Sequence, residues 1–273
     1  MYEGDFVNDK GEGKGKFIWG DGQYYIGDYS NGLKHGKGKF YWKNGEYYIG
    51  EWLNGFKNGK GIIYYKNNKI KYDGDFVNDK KEGKGKYNWE NGEYYIGEWF
   101  NGFRHGKGTI YYKNNTIKYD GDFIKNKYEG EGKLILENGE YYIGDWLKTL
   151  KHGKGKIYYN NNTIMYEGNF IKGKKEGKGK FIWENGDYYI GEYLNDFKNG
   201  KGTIYYKNNS IKYDGDFAND KYEGKGKFIL ENGDYYIGEW MNGLKYGKGI
   251  IYSKNNTIKY KGDFVNDEYI NQS

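Results

Sequence analysis

Histidine, carboxylate and lysine side chains are the groups here that could do chemistry. Each recurs at a fixed place in a repeating pattern. His35, His105 and His152 all stand just before Gly-Lys-Gly. The last two lie two repeats apart, about four strands or roughly 19 Å at ~4.8 Å per strand, too far for one metal or one catalytic triad. Gly-Lys-Gly itself is no phosphate loop, which needs Gly-x-x-x-x-Gly-Lys-Ser/Thr opening a helix. Asn114, Asn161, Asn208 and Asn255 begin Asn-x-Thr/Ser sequons, but they recur because a turn recurs, and no leader is visible to bring them to the glycosylation machinery. Carboxylates at Glu51, Asp75, Glu98, Asp122, Asp145, Glu192, Asp216 and Glu239 come once per repeat. That regularity fits a solvated face with cross-strand pairing rather than one acid–base centre. With Cys 0, thiolate and disulfide chemistry are excluded. No catalytic residue, metal or cofactor is expected.

The lysines of Gly-Lys-Gly-Lys segments remain as candidates for contact with an anionic surface: Lys37, Lys39, Lys84, Lys86, Lys154, Lys156, Lys178 and Lys180. The competing reading pairs them with the carboxylates of the facing strand, where exposed pairs serve mainly solubility. Repeats with one lysine carry Thr109 or Thr203 instead of the second and should contribute less. No apolar patch for membrane insertion is evident.

The elements that position these groups follow from the period. Tyr-x-Gly recurs from Tyr2 through Tyr25, Tyr48, Tyr72 and Tyr95 to Tyr260, at steps of 23 or 24 residues, which marks a repeat array. Each unit is too short for a helical pair and has the pattern of a hairpin. In "YIGEW", Tyr95, Gly97 and Trp99 share one face, while Ile96 and Glu98 share the other. Asn101-Gly102 marks a turn, and "GKGTIYY" returns with Gly106, Gly108, Ile110 and Tyr112 on one face. Glu-Asn-Gly and Asn-Asn segments link successive hairpins. Glycines and rings therefore fall on one face, and the expected core is a thin spine in which rings from neighbouring strands cover strand glycines. Tyr95, Gly97, Trp99, Gly106, Gly108 and their equivalents form that spine. Some twenty-two strands at ~4.8 Å would extend to roughly 100 Å.

Composition agrees. Mean hydropathy is −1.11, a value common in disordered chains, yet aromatic residues make up 21%, which disorder does not tolerate. The rings must supply the burial. Net charge is +6, less than nucleic acid binding would call for. No secretory signal or apolar span is visible, so a cytoplasmic protein is expected, associated with cytoskeleton or membrane.

The pattern Tyr-x-Gly-x-aromatic, Asn-Gly, Gly-x-Gly, as in "YIGEWFNGFRHGKG" (95–108), resembles the MORN (membrane occupation and recognition nexus) repeat across nearly the whole chain. The resemblance implies an all-β, elongated, twisted, single-layer antiparallel meander of eleven full hairpin repeats and a partial twelfth, a single array over 1–264 followed by a short polar tail, 265–273. It further implies a non-enzymatic scaffold presenting an extended surface to protein partners in a cytoskeletal or ciliary assembly. The alternative is a peripheral binder of anionic phospholipids such as phosphoinositides, through the lysine face. Homodimerisation through terminal repeats, along the edges Tyr2–Phe6 and Tyr260–Phe264, is also implied. Departures from the pattern bring local geometry into question. Leu136 and Leu230 replace a return-strand Trp, Lys148-Thr149 replaces Asn-Gly, and so does Asn195-Asp196.

Overall fold

The structure, a computed structural model, describes residues 1–270. Among them there is no helix. Two compact units emerge, Met1–Ile135 and the segment beginning at Leu136. The first is an antiparallel meander of twelve strands, from β1 (Tyr2–Val7) to β12 (Lys127–Ile135), each paired with its sequence neighbours. The second repeats the plan from β13 (Tyr141–Leu147) to β24 (Glu268–Tyr269).

Turn chemistry dictates the hairpins. Asn101 and Gly102, between β9 (Tyr94–Phe100) and β10 (Phe103–Tyr111), have φ of 52° and 85°. Two successive left-handed residues make the turn whose twist matches a right-handed hairpin. The irregular turns keep this geometry: Lys148 and Thr149 sit at φ 51° and 73°, Asn195 and Asp196 at 53° and 78°. The links between hairpins use a different turn. The Gly92 N–H donates to the Trp89 carbonyl at 3.0 Å and the Trp89 N–H to the Glu93 carbonyl at 2.9 Å. In the alternate link, Asn114 Oδ1 accepts from the Thr116 N–H and hydroxyl, so the sequon asparagine locks its own turn.

Register places glycine opposite glycine at every step: Gly74↔Gly85, Gly85↔Gly97, Gly97↔Gly108, Gly108↔Gly121. A glycine ribbon thus crosses each unit at right angles to its strands. A Cβ added to Gly85 would lie 2.5–2.7 Å from the Tyr72 ring. Each Tyr therefore lies flat over two glycines, its own i+2 residue and that residue's cross-strand partner. Tyr72, Tyr95 and Tyr119 are fully buried by this arrangement, and the Tyr95 hydroxyl donates to the Glu98 carbonyl at 2.9 Å. Between the tyrosines stand Phe76, Trp99 and Phe123, edge-on at 5.2–5.4 Å between centroids. Edge-to-face contacts of this kind suit the ring quadrupole, and an aromatic zigzag replaces an aliphatic core.

Gly106 departs from the expected spine. Its φ is +71° and the direction in which it lacks a Cβ faces the Glu98 carboxylate, not a ring. The register breaks there, with Arg104 opposite Trp99 but Gly108 opposite Gly97. The first glycine of Gly-x-Gly is a bulge residue that needs left-handed backbone; the second is the one under the ring.

The edge at Tyr260–Phe264 is covered at its C-terminal end. Phe264 and Val265 pair with Tyr269 and Glu268 of β24, and the Tyr269 ring lies 4.4 Å from that of Tyr260. Most of the expected tail is thus engaged, and its residues 271–273 lie outside those described.

Candidate interaction surfaces

Three surfaces follow from this geometry. The first is the polar face, which carries the sequence-derived lysines. Along the row beside the glycine ribbon, opposite charges face each other across every second seam, Lys14 with Asp28, Lys37 with Glu51, Lys60 with Asp75, Lys84 with Glu98 and Lys107 with Asp122. Across the bulged seams between them, Asp28 faces His35, Asp75 faces Glu82 and Asp122 faces Glu129. Ion pairs close at Lys14–Asp28 (2.8 Å), Lys60–Asp75 (2.5 Å) and Lys107–Asp122 (2.7 Å). In the second unit, Lys154 and Lys178 occupy the same row, opposite Asn169 and Glu192. The second lysine of each doublet lies one row away. Lys39 stands opposite Ile26 and Ile49, and Lys156 pairs with Glu167 at 3.0 Å. Lys86 and Lys180 reach over Tyr94 and Tyr188 at 4.2 and 4.3 Å from the ring centroids. The row nearest the ribbon is a near-neutral lattice, and such a surface attracts anions weakly.

The second surface runs along the hairpin tips. Leu53 and Phe56 face each other across one turn, Phe100 and Phe103 across another, Leu194 and Phe197 across a third. All are roughly half exposed. Single exposed apolar residues are ordinary, whereas a contiguous line of them is a candidate contact site. The sequence reading found no apolar patch. It weighed each strand's alternation and overlooked that the residues flanking every Asn-Gly fall in line once hairpins stack.

The third surface lies over the rings. The residue one beyond the returning tip residue is Gly11 in the first hairpin, then Lys34, Lys57, Lys81, Arg104 and Tyr128 in the first unit, and Lys151, Lys175, Lys198, Tyr222 and Lys245 in the second; all but the glycine carry a long side chain. These side chains fold back onto the aromatic zigzag. Lys81 Nζ lies 4.5, 4.7 and 5.0 Å from the Tyr87, Trp99 and Tyr72 centroids. Lys34 Nζ lies 4.0 Å from Trp52 and 4.9 Å from Phe40, and the Arg104 guanidinium 5.2–5.6 Å from Phe123, Trp89 and Tyr95. Tyr128 takes the same place by stacking on Tyr119 at 3.6 Å. Burial pushes the Lys34 and Lys81 amines down to about 8. Lys57 is also lowered by burial, although Asp79 at 3.6 Å opposes the shift. Period-2 counting from Gly108 puts Arg104 on the ring face, but charge alone gives no sign that it packs there. Its aliphatic stem covers the ring while the cation contacts the π face.

Among the described residues no cluster of His, Asp or Glu could hold a metal, and the polar groups are spread at repeat spacing. Fold and surfaces together define a single-layer repeat scaffold. The MORN repeat matches residues 2–24, 25–47, 48–69, 72–94, 95–117, 119–141, 142–164, 166–188, 189–211, 213–235 and 236–258. The chain belongs to the MORN repeat family. Nothing among curated proteins matches it in sequence. Among solved structures, the E1021V mutant of the TCP10 domain of Danio rerio CPAP overlaps 91% of this chain and 99% of its own, with 8% identity and a TM-score of 0.27. At that score the likeness bears on neither fold nor function.

Proposed function

We propose that this chain is a non-enzymatic scaffold that holds protein partners along its repeats, in a cytoskeletal or ciliary assembly. The observation that carries this reading is the recurring exposed apolar pair at the hairpin tips, Leu53 with Phe56 and Phe100 with Phe103. Buried in a partner, such pairs supply the apolar anchors a protein interface needs, while the paired charges beside them set register and specificity. The cytoskeletal or ciliary setting rests on the MORN resemblance alone. The near-neutral lysine row favours this reading over phospholipid binding, because interleaved carboxylates offset the ~1 kcal/mol that each lysine gains near an anionic surface.

Cross-linking capture from cytosolic and cytoskeletal fractions tests the proposal. Discrete protein partners are expected, cross-linked near the tips and lost when Phe100 and Phe103 are both changed to Ser. Partners that persist unchanged in that variant would refute the tip-based reading.

A further inference from the structure

Among the described residues, Lys34 and Lys81, like Lys151 and Lys175 of the second unit, are ring-face cations outside any ion pair. The Lys34 and Lys81 ammonium groups are each enclosed by three rings within 6 Å. Neither has a carboxylate within ion-pair distance among the described residues, whereas Lys57, Lys198 and Lys245 meet Asp79, Asp220 and Asp267 at 3.3–3.6 Å. Around Lys34 the remote Asp79 helps and Lys57 opposes its charge. The charges that act on Lys81 are those of Lys71 and Lys57, both cations. Among the described residues, the Arg104 guanidinium hydrogen-bonds only to the side-chain and main-chain oxygens of Asn126. The first unit thus carries a line of desolvated positive charge with one matching carboxylate, in contrast to the paired row on its other face.

We propose that the ring face of Met1–Ile135 is a docking track for an extended acidic peptide segment whose carboxylates, one every third residue, meet Lys34, Lys57, Lys81 and Arg104 in turn. This rests on the reading of the chain as a protein-binding scaffold. Two geometric facts select the occupant. The cations recur every second strand, roughly 9.6 Å apart at about 4.8 Å per strand. A polyproline II segment returns to the same face after three residues and about 9.3 Å. A nucleic acid strand, with a phosphate about every 3.4 Å in a duplex, does not share that spacing. The cations are also recessed, since the Lys57 side chain is 15% exposed. A thin chain reaches between the rings to such a group, whereas a flat bilayer surface does not. Carboxylates arriving there meet charges already stripped of water, and charge-assisted hydrogen bonds are strong in that setting.

The probe is a labelled peptide of about twelve residues with Glu at every third position among prolines, a composition that favours the three-residue period. Its isomer with the glutamates contiguous is the control. Binding to the full chain is read by fluorescence anisotropy at low salt. The spaced peptide is expected to bind at least about fivefold more tightly than the isomer. The Lys34→Gln/Lys81→Gln variant should lose about tenfold or more in affinity, and Lys34→Arg/Lys81→Arg should retain most of it, because the loss follows from removed charge. Lys84→Gln/Lys86→Gln, on the opposite face, should bind like wild type. No saturable binding, equal affinity for both peptides, or equal loss in the two Gln variants would overturn the proposal. So would displacement of the peptide by anionic vesicles or single-stranded DNA at lower charge concentration than by free peptide. Such a failure leaves the captured partners and their dependence on Phe100 and Phe103 untouched, so it is distinguishable from failure of the scaffold reading.

Discussion

Adding one methyl group at Gly85 should destabilise this protein, while a larger change at the next residue should not. Gly85 lies in β8 (Lys80–Asn88), between β7 (Ile70–Val77) and β9. A Cβ there would stand 2.5 Å from the Tyr72 hydroxyl oxygen and 2.7 Å from two ring carbons. Ordinary contact is 3.4–4 Å, so the ring must retreat by about 1 Å. It has nowhere to go. Tyr72 is fully buried, Phe76 and Trp99 hold its flanks at 5.2 and 5.3 Å, and Lys81 covers it. Its hydroxyl also donates to the Asp75 carbonyl at 3.1 Å. Overpacking costs about 1–3 kcal/mol, and straining or losing the hydrogen bond costs about 1 kcal/mol more. The change to Ala returns roughly 0.5–1 kcal/mol of strand propensity. Gly85→Ala should therefore lose about 1–3.5 kcal/mol, and Gly85→Val more. Lys86→Val, on the polar face, gives up the contact with Tyr94 and the exposed position opposite Asp73 and should stay within about 1 kcal/mol of wild type. Urea denaturation followed by far-ultraviolet circular dichroism reads the difference. Amide exchange should place it in β7–β9, since stability in repeat arrays is a sum of neighbour terms. Equal losses for Gly85→Ala and Lys86→Val would refute the assignment of glycines and rings to one face.

Other outcomes follow from the same packing. Tyr193 stands where Trp99 and Trp240 donate an indole N–H to the Gly85 and Gly226 carbonyls at 3.2 Å, but its hydroxyl is buried with no partner. Tyr193→Phe should be neutral or stabilising by up to about 1 kcal/mol, and a clear loss in urea melts would contradict this. Thr149 is β-branched at φ +73°, so replacing Lys148-Thr149 by Asn-Gly should stabilise by about 1 kcal/mol, again read by denaturation. The pH dependence should turn over. Lys34 and Lys81 titrate near 8 when folded and near 10.4 when unfolded. The unfolded chain therefore binds more protons in that window, and stability rises with pH across it. Above pH 10 the sign reverses, because burial holds Tyr222 and Tyr236 protonated to about 12 while unfolded phenols ionise near 10. Urea midpoints measured from pH 7 to 11 should pass through a maximum, and a monotonic fall from pH 7 would contradict the lysine environments.

Much of this architecture was legible in the residues. The Tyr-x-Gly period gave the hairpin unit, and period-2 alternation placed Tyr95, Gly97, Trp99 and Gly108 together, as they are found. The turn substitutions at Lys148-Thr149 and Asn195-Asp196 left the local geometry open, and the surrounding ladders hold both in the left-handed region despite their side chains. Within the β9–β10 hairpin, alternation failed at Gly106 alone, since the bulge sets four steps of β10 against two of β9 and turns Gly106 into left-handed backbone, while Arg104 beyond it returns to the ring face. It also failed to reveal surfaces that exist only between repeats. The tip pairs and the ring-face cations are local commonplaces, an apolar residue beside a turn and a lysine in a strand, and become sites only when stacking brings copies into line. The pairing of the lysine row with carboxylates of the facing strand was expected from the sequence, and the register adds which seams carry it.

Co-sedimentation with anionic liposomes across a salt series most directly separates a protein scaffold from a membrane binder. The Debye length falls from about 30 Å at 0.01 M salt to about 8 Å at 0.15 M, so residual attraction by the lysine face should be confined to low salt. Binding is expected to be detectable at 0.01 M and largely gone at 0.15 M, with the cross-linked protein partners retained there. Strong co-sedimentation at 0.15 M salt would contradict the scaffold account and put the phospholipid reading in its place.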